Sequence, residues 1–388
     1  MSRRLRVLAL AHAFPRTLDD PVGLFVAHLA LALRDEGIDT TVLAPSGPGL
    51  AARDSFHGLD VRRYRYAPRQ HETLAYTGTM GDQVRDGWPA RFAFAGLIAN
   101  GLRHALKISD EVGADLVHAH WWVPGGLIGA AVQAITRRPL ITTMHGTDVR
   151  MLDSGIGRKL YPLVAARSHA LTAVSSWLAE RATIAGDKRV TVAPMPVRAE
   201  DFPQGPPARE PRLLFVGKLT EQKGLHFLLD AIARCRTRPT LDVVGVGRVD
   251  DRALREQATT LGIADRITWT PLLPQADLAK RYREARALVV PAIEEGLGLT
   301  AVEAALSGTP VIAFASGGVV DAVLDGETGI LVPPRDVDRL AAAVDRLMGD
   351  PAEASRLGGA GRRFALRRFS AGAVAATYAE LYRRASAS

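Results

Sequence analysis

The chain has 388 residues, 47% hydrophobic and 23% charged, with a formal net charge of +8. That balance supplies core for two domains of ordinary size and excludes wholesale disorder. A single cysteine, Cys235, excludes an internal disulfide framework and fits a reducing cytoplasm. No run approaches the roughly 18 apolar residues of a membrane span. The opening MSRRLRVLALAHAF is interrupted by His12 after a short apolar run, so it reads as a first strand rather than a signal peptide.

From residue 4 to 199, short apolar runs alternate with helical stretches. Residues 5–10 read as a strand, 22–34 as a helix closed near Gly37, and 39–44 as a second strand. This βαβα order predicts a parallel sheet covered on both faces, with ligands beyond the carboxyl ends of its strands. The loop 12–23 ends in Gly23 ahead of a helix, where backbone amides suit a phosphate. Arg62, Arg63, Arg65 and Arg69 cluster with Tyr64 and Tyr66. Such a run fits an anionic lipid face, a phosphorylated acceptor or nucleic acid, against the plain reading of a solvated edge strand. Arg62 and Arg65 are the acceptor-side candidates in it. Residues 76–88 are polar and glycine-bearing without a clear period, which predicts a loop suited to acceptor recognition.

His118 and His120 alternate onto one face of the next strand. That is a metal-pair spacing, but no third ligand stands near, and no metal is expected. His120 and Trp121 close that strand. The imidazole is expected to face ligand, and the indole of Trp121, or of Trp122 next to it, either stacks on a sugar ring or packs in the core. The segment His145-Gly146-Thr147-Asp148 ends a further strand. His145 can donate to a hydroxyl or to developing charge, and Asp148 can orient it.

Gly205 and the prolines at 203, 206, 207 and 211 mark a linker. The strand that follows ends in Gly217, and Lys218 and Lys223 stand before a helix. Two cations beside a helix start suit a diphosphate. Residues 241–247 form another strand and glycine turn, with Arg248 as a further phosphate cation. Asp250-Asp251 lacks the Asp-x-Asp form of metal-dependent transferases. The densest stretch is 287–318. A buried strand leads into the turn Glu294-Glu295-Gly296-Leu297-Gly298, then a helix, then a second strand at 311–314. Amides near Leu299 and Thr300, with the helix dipole, form an anion site that Gly296 and Gly298 let a phosphate approach. Glu295 and Glu303, the latter expected in the first helical turn, flank it. Phosphate has no use for carboxylates, but sugar and ribose hydroxyls do, so the combination predicts a sugar nucleotide. Gly296-x-Gly298-x-x-Ala301 also matches a dinucleotide fingerprint. The acid expected about 20 residues later is missing, however, because Phe314-Ala315-Ser316-Gly317-Gly318 stands there.

The run EGLGLTAVEAALSGTPVIAFASGGVVDAVLDGETGILV, with its Glu295-x7-Glu303 pair, resembles the signature of the family 4 retaining glycosyltransferases of GT-B fold. The resemblance implies two doubly wound, Rossmann-like α/β domains facing a cleft. Residues 1–199 would form the acceptor side and 200–369 the donor side, with a C-terminal helix over 370–388 crossing back. It implies retaining transfer of a hexosyl unit from a nucleoside diphosphate sugar to a hydroxyl acceptor, without a metal or other cofactor. That acceptor would be a glycolipid or polysaccharide intermediate, or a small natural-product core. Glu295 and His145 would contact the transferred sugar and Glu303 the ribose, with Gly23, Gly217 and Asp148 on the donor. Lys218 stands where the family carries Arg and loses the bidentate fork. Met195-Pro196-Val197-Arg198 replaces the usual Asn-Gly-Val-Asp. The expected partners are donor, acceptor and an anionic membrane surface, with no nucleic acid. A sugar-nucleotide epimerase of the same fold and an inactive nucleotide-binding scaffold are the rival readings.

Overall fold

The computed structural model describes residues 3–18, 20–77, 80–204, 210–245 and 251–387. They divide into two compact units, Met1–Pro196 with Ala371–Ser388, and Val197–Ser370. The breaks expected at 199/200 and 369/370 compare with 196/197 and 370/371.

In the first unit the chain runs β1 (Leu5–Leu10), α1 (Leu24–Ala32), β2 (Ile38–Pro45), β3 (Arg53–Phe56), β4 (Leu59–Tyr64), α2 (Met80–Asp86), α3 (Trp88–Glu111), β5 (Leu116–His120), α4 (Leu127–Thr136), β6 (Leu140–Met144), α5 (Gly155–Arg167), β7 (Ala170–Ala173), α6 (Ser176–Gly186) and β8 (Val190–Val192). These strands form one sheet in the order β3-β4-β2-β1-β5-β6-β7-β8, parallel except where β3 meets β4. Residues of β1 alternate between two cores. Leu8 and Leu10 pack with Leu97 and Ile108 of α3, while Ala9 and Ala11 pack with Val26 and Ala30 of α1. Every residue of β5 and β6 is buried, as central parallel strands require. Strand order reverses between β1 and β5, and ligand sites of such sheets open there.

The second unit runs β9 (Glu210–Gly217), α7 (Leu225–Arg234), β10 (Thr240–Gly245), α8 (Arg252–Thr260), β11 (Ile267–Thr270), α9 (Gln275–Glu284), β12 (Ala285–Val290), α10 (Leu299–Leu306), β13 (Val311–Phe314), β14 (Gly329–Val332), α11 (Val337–Gly349) and α12 (Pro351–Phe369). Its parallel sheet has the order β11-β10-β9-β12-β13-β14, the doubly wound pattern, with the reversal between β9 and β12. A last helix, α13 (Ala371–Ser386), returns to the first unit, where the Tyr378 hydroxyl donates to Ala193 O at 3.0 Å.

Two local expectations are corrected. Residues 76–88 include α2, which buries none of its seven residues and so shows no apolar period to read. Pro211 belongs to the exposed start of β9, where its missing N–H costs no ladder bond, rather than to a linker. Residues 205–209 lie outside the described residues, as does Arg248.

Candidate active site

In the second unit the site gathers at the carboxyl ends of β9 and β12. Gly217 ends β9 and Lys218 follows it, exposed. The chain then makes a short turn through Lys223 into α7. Lys223 Nζ lies 2.5 Å from Glu295 Oε2, and the two side chains are only 27% and 15% exposed. The two groups assigned to separate parts of a donor therefore form an ion pair with each other. The turn carrying Glu295 is pinned from both sides. Gln222 accepts from Ile293 N at 2.9 Å through its main-chain oxygen, and its side-chain amide donates to Ile293 O at 3.2 Å. Beyond β13, Ser316 Oγ accepts from Glu294 N at 2.9 Å and Gly318 N donates to Glu295 O at 2.6 Å. Gly317 makes this contact feasible. Its φ is +73°, and a Cβ there would sit 2.3 Å from Glu295 O.

Gly298, in a left-handed conformation, heads α10, and the first intrahelical bonds are those of Ala301 and Val302 to Gly298 O. Leu299 and Thr300 are the first two helical residues, so their amides have no partner within the helix, as at any helix start. Gly296 lies in the same turn. Glu303 falls in the second turn of α10 rather than the first, because the helix begins at Leu299.

Glu303 Oε2 accepts the Tyr282 hydroxyl from α9 at 2.8 Å. Burial pushes the Glu303 carboxyl up to about 7, against the hydrogen bond, which pulls it down. The folded value lies above the ordinary carboxyl value of 4.5, so the folded chain holds this proton more tightly than the unfolded one. The stability it contributes is full below about pH 4.5 and is lost as pH rises through 7. A ligand hydroxyl that needs an ionised acceptor works in the opposite sense. Binding of a nucleoside diphosphate at pH 6 is therefore expected to release a proton. Calorimetry in two buffers of different ionisation enthalpy checks this, and identical heats would contradict it.

In the first unit a ring cluster stands at the ends of β1, β5 and β6. His120 Nδ1 and His145 Nε2 lie 3.1 Å apart. The Trp121 ring packs between His12, at 4.2 Å, and His145, at 4.5 Å. Trp121 is 7% exposed and sits at φ +62°, a conformation costing a bulky residue on the order of 1–3 kcal/mol. Its ring is thus packed against two imidazoles. Phe25 closes on His145 at 5.0 Å. Gly23 caps α1 just before it, where a Cβ would lie 2.3 Å from Ala13 O. Burial pushes His120 and His145 well below the usual imidazole range, so both are neutral near pH 7.

His118 is engaged at both ring nitrogens, Nε2 by Thr143 at 2.7 Å and Nδ1 by Tyr382 of α13 at 2.6 Å. Asp148 is corrected. It does not touch the His145 imidazole. Its Oδ1 accepts the amides of His145 and Gly146, at 3.1 and 3.0 Å, and its Oδ2 that of Trp122, at 3.0 Å. It orients His145 through the backbone, tying the exit of β6 to that of β5. Trp122 is fully buried and donates Nε1 to Asp148 O.

The arginine run is corrected as well. Arg62 pairs with Asp60 at 2.9 Å and Glu111 at 3.1 Å. Arg65 pairs with buried Glu72 at 2.9 Å. Arg63 is buried and donates to Tyr76 and Pro15 O, and Tyr64 and Tyr66 are buried too. Arg62, Arg63 and Arg65 thus have internal partners and both tyrosines are buried, so these residues present no basic–aromatic face, while Arg69 is exposed. Among the described residues no helix is long and apolar enough to cross a membrane.

Known proteins share this architecture. The family model for Glycosyltransferase Family 4 matches residues 22–201, and that for glycosyl transferases group 1 matches residues 197–364. The glycogen synthase of Mycobacterium tuberculosis is 31% identical over 408 residues, covering 97% of this chain and 94% of that protein. The chain belongs to the family 4 glycosyltransferases. It transfers sugar from a sugar nucleotide, and the epimerase reading is not favoured. The D-inositol 3-phosphate glycosyltransferase of Frankia alni is 35% identical over 63% of this chain and 68% of that one. Among solved structures, sucrose-phosphate synthase from Thermosynechococcus elongatus superposes with a TM-score of 0.80 at 22% identity, covering 99% and 100% of the two chains. Anabaena HepE, in complex with UDP and glucose, reaches 0.75 at 19% identity, covering 98% and 100%. The fold of this glycosyltransferase is GT-B, as its sequence predicts.

Proposed function

We propose that the enzyme moves a hexosyl unit from a nucleoside diphosphate sugar to a hydroxyl acceptor, with retention and without a metal ion. The observation that carries this reading is the Lys223–Glu295 pair at the head of α10, with Glu303 in the same short helix. One cation, two carboxylates and a helix start are the complement of a diphosphate joined to two polyols. Lys218, Lys223 and the amides of Leu299 and Thr300 stabilise charge developing on the leaving diphosphate. Glu295 accepts hydroxyls of the transferred sugar and Glu303 those of the ribose. His145, neutral at working pH, polarises the sugar without adding charge. The bond from the anomeric carbon to the diphosphate breaks, and the bond to the acceptor oxygen forms on the same face. The acceptor proton passes to the departing phosphate oxygen.

Donor candidates are separated by thermal shift with UDP-, GDP-, ADP- and dTDP-sugars. At about 100 times Kd the true donor stabilises its unit by roughly 2.7 kcal/mol. Transfer from that donor is expected to survive chelator unchanged. Loss of transfer that magnesium or manganese restores would contradict the lysine-based phosphate site.

A further inference from the structure

We propose that Tyr282 is a positioning residue for donor recognition: its phenol, donated to Glu303 Oε2, fixes the carboxylate so that the other oxygen is held ready for a ribose hydroxyl. This rests on the reading of Glu303 as the ribose acceptor. Tyr282 is fully buried in the last turn of α9. Its ring stands edge-on to Phe202 at 6.0 Å, and its main-chain oxygen accepts the Thr309 hydroxyl from the turn between α10 and β13 at 2.5 Å. The phenol is therefore aimed by packing and by backbone before any ligand arrives. A hydroxyl donated to a carboxylate is a strong, directional bond. Glutamate otherwise carries considerable rotamer freedom, which a ligand would have to freeze on binding. Tyr282 removes that cost in advance.

The test compares free UDP, GDP and ADP with their 2′,3′-dideoxy counterparts by calorimetry. The proteins are the wild type, Tyr282→Phe, Tyr282→His, Glu303→Gln and the Phe/Gln double variant. The wild type is expected to prefer the ribose form by about tenfold or more, and Glu303→Gln to erase that preference. Tyr282→Phe should cut the preference by roughly fivefold, leave dideoxy affinity within about twofold, and add nothing on top of Glu303→Gln. Tyr282→His keeps a ring and an N–H donor and should retain more of the preference. If only the histidine variant folds, reduced ribose affinity with unchanged dideoxy affinity is the expected result. A full ribose preference without the phenol, or an equal loss for both nucleotides, overturns the role of Tyr282. A wild type indifferent to the ribose hydroxyls overturns the reading of Glu303 instead.

Discussion

Glu295→Gln is expected to lower kcat by about tenfold to over a hundredfold, the worth of a charge-assisted hydrogen bond of roughly 1.5–3 kcal/mol. The transferred sugar gains positive character as its bond to the diphosphate breaks. A carboxylate held against it therefore interacts more strongly in the transition state than before it, and such interactions appear in kcat rather than KM. The ion pair adds a second expectation. Lys223 is paired with Glu295 at 2.5 Å, so the glutamine variant frees its charge for a diphosphate. Free nucleoside diphosphate should then bind the variant at least as tightly as the wild type. Steady-state kinetics and calorimetry with free nucleotide check both halves. Turnover near the wild-type value would remove Glu295 from the sugar site.

Asp148→Asn is expected to act on stability before it acts on donor binding. The buried carboxylate accepts three backbone amides, and its pKa is pushed up by burial although those donors pull it down. An asparagine turns one acceptor into an N–H donor and so faces at least one of those amides with another donor. Leaving a buried group unsatisfied and losing charge-assisted bonds together cost about 3 kcal/mol. In a unit of this size that lowers its thermal midpoint by roughly 6–12 °C. Nucleotide affinity, which the proposed site assigns to the second unit, should hold. An unchanged midpoint with donor binding lost would instead make Asp148 a direct ligand contact.

The parts of this site that could be read in sequence are local. Glu295, Glu303, Gly296 and Gly298 fall in one strand–turn–helix, whose geometry follows from apolar run, glycine turn and helix start. His118 and His120 were placed on one face by the strand period of two, and their rings stand 4.1 Å apart. What could not be read is set by strand order. Lys223 and Glu295 are 72 residues apart and meet because β9 and β12 are neighbours at the reversal. Tyr282 comes from a helix otherwise dominated by charge, and only the fold turns its hydroxyl toward α10. The one cue was a tyrosine closing a polar helix just before a wholly buried strand. His118 and Tyr382 are 264 residues apart. Asp148 misled because adjacency to His145 suggested a side-chain contact where the bond is to backbone. In the arginine run, Asp60 and Glu72 are near in sequence, but Glu111 lies 49 residues from Arg62, and the burial of Arg63 and the two tyrosines follows from the sheet rather than from the run itself.

Retention of anomeric configuration tests the account most directly. Proton NMR of the new glycosidic bond, formed from the donor that the thermal screen selects, reads it from the anomeric coupling. The account predicts that the product keeps the donor's configuration. An inverted product would contradict it.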